Sequence, residues 1–308
     1  MSKFLKYMIG FILVSQLYIV QAQESGYDFS LEEDSLASLF EHLNGASTDA
    51  DKLKWSGRII EFMEDILFDY ESFDYPFEKL SHLGKLKSKD ENLRIYNWNI
   101  LLQDGTFKYY GFLQYYHEKK DEYLLYKLED MSDEIEKPER QVLKADNWYG
   151  ALYYDIVEVK GKKHYYYTLL GWDGNNDLTT RKVVEALYFT LSGKPRFGDN
   201  VFSMIEEKYP GVKRKSVKRR LLFEYSSSAN MSLRYDPDFR MIVFDHLSPT
   251  ELYLKGNYQF YGPDFNHDGI EFKKGVWQHV EDLKLIDKSK TGNKTWEYKP
   301  NESFYKKR

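Results

Sequence analysis

The hydrophobic pattern of this chain changes period once, near Leu93, and that change limits what it can fold into more than any single residue does. From Asp28 to about Leu86 the apolar residues recur at helical spacing; beyond Leu93 they alternate. Helical spacing gathers apolar side chains on one helix face, whereas alternation puts them on one face of a strand. Ser30 with Glu33 reads as a capping box; Leu36, Leu39, Phe40 and Leu43 share a face, and Asn44-Gly45 stops this first helix. Ser47 or Thr48 caps a second, with a broad stripe through Leu53, Trp55, Ile59, Ile60, Phe62, Met63, Ile66 and Leu67. The acidic and aromatic stretch Asp69 to Pro76 ends it. A short helical turn at Phe77 to Leu83 is expected to lead into the polar run Lys85 to Asn92, the boundary to the next region.

Beyond that boundary, strand and turn signals follow one another at short intervals. Leu93 to Asn99 and Phe107 to Tyr116 flank the Asp-Gly hairpin signal Gln103-Asp104-Gly105-Thr106. Glu122 to Leu128 adds a strand, and Glu129 to Arg140, with Pro138 inside, reads as a solvated loop or short helix. Ala151 to Val159 and His164 to Trp172 flank a Lys160-Gly161-Lys162-Lys163 turn. Val183 to Thr190, Val201 to Ile205, Arg219 to Ser226, Met231 to Tyr235 and Arg240 to Phe244 continue the series, with turns at Ser192-Gly193-Lys194-Pro195 and Asp236-Pro237-Asp238. This spacing favours a closed or sandwiched antiparallel sheet over a parallel α/β fold. No internal repeat argues for a propeller or solenoid. The expected class is α+β, predominantly β: an N-terminal helical segment, then a large antiparallel β sandwich or barrel-like domain. In residues, this means a leader at 1–22, a helical segment at 23–92, a β domain at 93–286 and a polar tail at 287–308. The chain has no cysteine, so a packed core and not disulfides must hold it. Its 27 Tyr, 20 Phe and 6 Trp suit half-buried strands, where a tyrosine ring is covered and its hydroxyl stays wet.

The first residues read as a Sec signal peptide. Lys3 and Lys6 give a basic start, Tyr7 to Ile19 an apolar stretch, and Val20-Gln21-Ala22 a small-residue end, with the mature chain beginning at Gln23. The apolar run is too short to span a bilayer, and without cysteine it is no lipoprotein signal. The expected location is therefore exported, periplasmic or extracellular, with no transmembrane segment left after cleavage near Ala22. The formal charge of −5 becomes −7 once Lys3 and Lys6 are removed. Acidity and export together argue against nucleic acid as a partner.

Two segments place oxygen-bearing side chains at every second position around a glycine. In Gly171-Trp172-Asp173-Gly174-Asn175-Asn176-Asp177, the side chains of Asp173, Asn175 and Asp177 are candidate ligands for a hard cation such as Ca2+. Asp264-Phe265-Asn266-His267-Asp268-Gly269 reproduces the start of a calcium loop through Asp264, Asn266 and Asp268. Its continuation fails, because Gly275 stands where the EF-hand glutamate belongs and Phe272 where an acid often sits. Ordinary turn chemistry explains both segments without a metal. Nucleophile elbows, metalloprotease pairs, phosphate loops and dinucleotide fingerprints are all missing from the sequence. His246, beside Asp245 and near Ser248, and His267, inside the second acidic segment, are weak catalytic candidates, since a triad is assembled from separated segments. Trp148-Tyr149 with Tyr153-Tyr154, and His164-Tyr165-Tyr166-Tyr167, offer ring faces to sugars or to a peptide, although alternation exposes only half of them. The basic run Lys213 to Arg220 reads as a solvated loop and edge strand, with an acidic polysaccharide or lipopolysaccharide as the functional alternative.

The segments YYYTLLGWDGNND, LLFEYSSSANMSLRYD, MIVFDHLSP and YQFYGPDFNHDG resemble those of a group of exported proteins from Bacteroidota. The resemblance covers roughly Leu93 to Val280. It implies a bacterial source and an exported location, and it transfers no catalytic residues. The leading expectation is a non-enzymatic binding or envelope-associated structural protein whose partner is a glycan, a peptide or an envelope component. The alternative is a periplasmic or extracellular hydrolase acting on a glycan or peptide, with Asp173, Asp177, Asp264 and Asp268 as its candidate carboxylates.

Overall fold

The computed structural model describes residues 27–209, 211–287 and 296–299; the expected leader, its expected cleavage point and most of the polar tail lie outside them. Two helices come first, α1 (Ser30–Gly45) and α2 (Asp49–Phe68). Thr48 caps α2 as expected, accepting from the Asp51 backbone N–H at 3.2 Å. The capping box of α1 does not form. Glu33 is instead buried, and its two oxygens accept from the Tyr75 hydroxyl at 2.8 Å and the Lys79 N–H at 2.7 Å. The carboxylate therefore clamps the loop that follows α2 and leaves its own helix end to Asp28, which accepts from the Ser30 N–H at 3.1 Å. The expected helical turn at Phe77 to Leu83 is a pair of tight turns. Phe77 is fully buried with φ +50°, a left-handed backbone that a helix cannot continue through.

The strands then build three open sheets. β1 (Gly84–Lys87), which overlaps the start of the expected boundary run, β2 (Leu93–Leu101), β3 (Phe107–His117) and β4 (Glu122–Glu129) form an antiparallel meander. β5 (Leu152–Lys160), β6 (Tyr165–Asp173) and β7 (Thr179–Phe189) form a second sheet, with β8 (Pro195–Phe197) paired to the end of β7. β9 (Phe202–Tyr209) and β10 (Val212–Lys218) open a third sheet before β11 (Arg220–Ser226) returns to the second, beside β7. β12 (Leu233–Asp236), β13 (Met241–Pro249), β14 (Tyr261–Lys273) and β15 (Val276–Val280) complete the third sheet, where β15 lies parallel to β9. The short pair β16 (Lys284–Asp287) and β17 (Trp296–Lys299) follows. The fold is thus predominantly β with two N-terminal helices and a sandwich of sheets, and it is not a closed barrel. Among the described residues no helix is long and apolar enough to cross a membrane.

Side-chain alternation fixes the order of the layers. On one face of the first sheet, Tyr96, Trp98 and Phe112 pack under Leu36, Phe40, Ile59 and Met63 of the helices. Its other face, with Ile95 and Leu113, packs on Leu169, Val183 and Leu187 of the second sheet. The opposite face of that second sheet, Leu170, Val184 and Leu221, packs on Phe202, Ile242, Ile270 and Trp277 of the third. Helices and three sheets are therefore stacked in series, and the second sheet is buried on both sides. Polar stitches join the layers: the Trp277 indole N–H donates to Thr168 Oγ1 at 3.1 Å, and the Gln114 amide donates to the Leu67 carbonyl at 2.9 Å.

A sheet covered on both faces has no water to offer the polar groups it carries. Glu185 on β7 stands directly opposite Arg220 on β11, and both side chains are completely buried and ion-paired. Tyr153 donates its hydroxyl to Glu185 at 2.6 Å and accepts the Trp148 indole N–H at 2.8 Å. Burial and the adjacent Glu185 charge push the Tyr153 hydroxyl well above its usual pKa, so it stays a donor. Glu185→Gln leaves the guanidinium uncompensated and is expected to lower stability by about 3 to 5 kcal/mol in urea unfolding, whereas Glu185→Leu with Arg220→Met is expected to cost much less. Equal losses from both would show that the pair's charge is not what matters.

Candidate functional site

The two acidic segments are separated by the fold. Asp173 ends β6 on the face toward the first sheet, whereas Asp268 lies on β14 beside Phe244 and faces the other side of the second sheet. The carboxylates of the hydrolase reading thus do not share a cleft. Asp173 is buried and already has its donors: the Tyr109 hydroxyl at 3.0 Å and the Asn175 N–H at 2.9 Å on one oxygen, the Tyr149 hydroxyl at 2.6 Å and the Arg181 guanidinium at 3.4 Å on the other. Asn175 turns its amide away to Thr179 Oγ1, and Asp177 packs beside Gly105 in the neighbouring hairpin. With its lone pairs occupied, Asp173 holds two sheets together and offers no coordination sphere.

The second segment is a strand and not a turn. Asp264, Asn266 and Asp268 all lie within β14, kinked at Phe265, whose φ is +68°. Asn266 is exposed, while Asp264 and Asp268 flank His246: Asp268 Oδ2 is 2.8 Å from His246 Nδ1, and Asp264 Oδ2 is 3.9 Å from its Nε2. His279 brings Nε2 within 3.3 Å of the same Asp268 oxygen, out of line for a hydrogen bond. Its Nδ1 accepts from the Ile205 N–H at 3.2 Å, so the ring proton sits on Nε2 and no lone pair faces Asp268. This tautomer explains why two imidazoles and a carboxylate do not amount to a metal centre. Among the described residues no group of three or more such side chains is arranged to hold a metal. His267 faces Asp245 at 3.3 Å, on the opposite side of the strand from Asp268.

What the cluster does hold is charge. The hydrogen bond to Asp268 raises the His246 pKa above its usual 6.5, while His246 and His279 hold Asp268 well below the ordinary carboxylate value against the opposing effect of burial. The His246 contribution to stability is complete below about pH 6.5 and is lost as pH rises through the folded value; the Asp268 contribution is present above its unfolded value and lost in strong acid.

The aromatic segments are also sorted by the fold. Trp148, Tyr149 and Tyr153 are sealed inside, Tyr166 is buried with its hydroxyl on Asp199 at 2.6 Å, and Tyr154 lies against Lys182. Tyr165 alone of the His164 to Tyr167 run combines strong exposure, 43%, with a position on the interlayer face. There the space between the first two sheets opens into a groove of about 470 Å³. Tyr115 of β3 and Phe189 of β7 bridge the sheets with parallel rings 3.6 Å apart, and Tyr165 and Tyr167 extend this aromatic surface edge to face. Two of its hydroxyls are held by carboxylates: Tyr167 donates to Asp90 at 2.8 Å and Tyr165 to Glu158 at 2.7 Å. Desolvation raises the pKa of both phenols, which keeps them protonated and the platform rigid. His117 donates from Nε2 to the Leu191 carbonyl at 3.1 Å, fixing the rim, and Asn92 and Glu118 add polar groups, joined at 2.9 Å.

Sequence reasoning named Tyr165 and Tyr167 and missed Asp90, Tyr115, His117 and Phe189. Alternation marks Tyr115 and His117 as sharing a face of β3, but nothing local says that β7 lies opposite. No family model, curated protein or solved structure matches the chain.

Two outcomes check these assignments. The melting-temperature gap between the wild type and His246→Gln is widest near pH 5 to 6 and narrows as pH rises through neutrality; a gap that grows with pH would overturn the His246–Asp268 ion pair. Millimolar Ca2+ or a chelator leaves the melting temperature unchanged, and a rise of several degrees with calcium would show that these oxygens are available after all.

Proposed function

We propose that this chain is an exported, non-catalytic binding protein whose ligand is a glycan lying in the groove between the first two sheets. The observation that carries this reading is the preorganised aromatic platform of Tyr165, Tyr115 and Phe189, backed by the buried Tyr167, with the Tyr165 and Tyr167 hydroxyls already bonded, at an open groove. Sugar rings present C–H faces that pack on aromatic rings and hydroxyls that need fixed polar partners. The groove supplies both, with Asn92, Glu118 and Lys119 at its rim. A platform that is rigid beforehand loses little side-chain entropy on binding. Export is supported by the basic and apolar leader ending at Ala22, and by the resemblance to exported Bacteroidota proteins.

A panel of neutral and acidic oligosaccharides tests the reading by calorimetry. One or more members are expected to bind, and Tyr165→Ala is expected to weaken that binding about tenfold while leaving the melting temperature within a degree or so. Failure of every glycan to bind, or unchanged affinity in Tyr165→Ala, would remove the groove as the site.

A further inference from the structure

The groove does not end at its aromatic floor. Thr190, Leu191, Ser192, Gly193 and Lys194 join β7 to β8 and cross the β3–β4 hairpin as a saddle. Three contacts pin this turn: Leu191 O accepts from His117 at 3.1 Å, Ser192 O from Lys120 at 3.4 Å, and Gly193 O from the Tyr126 hydroxyl at 2.9 Å. Gly193 has φ +85°, and a Cβ there would run into His117 and Leu124, so only glycine lets the turn sit this close. Phe189, Thr190 and Leu191 line the aromatic groove on one side of the saddle. Lys194, Pro195 and Arg196 line a second hollow of about 430 Å³ on the other.

The second hollow has a different chemistry. Lys127, Lys144, Lys194 and Arg196 border it against two carboxylates, Glu129 and Asp146. Among the described residues no carboxylate lies within ion-pairing distance of Lys144, Lys194 or Arg196, and the Arg196 guanidinium donates only to the carbonyl of Pro195. Lys127 reaches Glu64 only at 4.0 Å. The hollow therefore has surplus positive charge in a protein whose formal net charge is −5. The aromatic side of the saddle carries two acids, Asp90 and Glu118, against one lysine, Lys119, and so lacks that positive surplus.

We propose that this hollow is a second subsite of the same ligand and takes an anionic group, so that the ligand is an acidic glycan: a neutral sugar stacks on the aromatic platform, and a carboxylate or sulfate ester one or more residues along the chain meets Lys144, Lys194 and Arg196. This inference rests on the glycan reading of the groove. The charge pattern across the saddle also sets direction, because a ligand laid the other way would bring its anion against Asp90 and Glu118.

Calorimetry on the full chain separates the two claims. Oligogalacturonate or chondroitin sulfate oligosaccharides are expected to bind about tenfold more tightly than neutral cello-oligosaccharides, a preference that added salt erodes. Lys144→Ala with Lys194→Ala is expected to abolish that preference and to leave neutral binding unchanged, whereas Tyr165→Ala weakens both. Binding of oligogalacturonate assigns a carboxylate; binding of chondroitin sulfate that is lost on desulfation assigns the sulfate ester. Equal affinity for acidic and neutral glycans, or a preference that survives the double lysine variant, would overturn the second subsite and leave the aromatic groove standing. Binding by neither kind would remove both.

Discussion

The buried pair of Glu185 and Arg220 is the interaction on which the arrangement of layers depends. A sheet with water on one side tolerates charged residues simply by turning them outward. The second sheet has no such side, because the first sheet covers one face and the third covers the other. Its polar groups have only one another to meet: a carboxylate, a guanidinium, a phenol and an indole form one continuous set among apolar neighbours, although Arg220 Nε is left without an acceptor. A buried ion pair is a poor source of net stability, since desolvation offsets most of the attraction. Its stronger effect is on specificity. Arg220 can lie nowhere but beside Glu185 without stranding a charge, so β11 is tied to β7 in one register, and the sheet in which it belongs is decided.

The same interlayer space behaves differently at its two ends. At the Asp173 end of β6, four donors converge on one carboxylate and close the gap. At the Tyr165 end, roughly 26 Å away at strand spacing, the rings of Tyr115 and Phe189 touch across the gap and stay half-buried beside the open groove. Strand length and the placement of a single acid thus decide which end is structure and which is surface.

Much of the fold could be read from local pattern. Alternation and turn residues located β2 to β7 within a residue or a few, because each hairpin is specified by its own sequence. The helical stripe was equally plain, and Ile59, Met63, Ile66 and Leu67 are indeed its buried members. Two local patterns gave way for one reason. Glu33 of the expected capping box is claimed by Tyr75 and Lys79, and Asp268, at the end of a segment that reads equally well as an ordinary turn, pairs with His246 of the neighbouring strand. Nor does any local rule announce that β11 leaves its neighbours to join another sheet, or that β15 lies parallel to β9. The groove inherits this blindness: Tyr165 was visible as an aromatic residue on a strand, while its companions Tyr115 and Phe189 came together only through the packing of separate sheets.

The detour of β11 also has a meaning in time. Arg220 follows Glu185 only after β8, β9 and β10, so the pair forms only once the chain has crossed to the third sheet and come back. The middle sheet cannot close on a carboxylate without a counterion, and the third sheet has no finished floor until it does. Closure of the middle sheet is thus a non-local event, and contacts of that kind slow folding because loop-closure entropy is lost before they form.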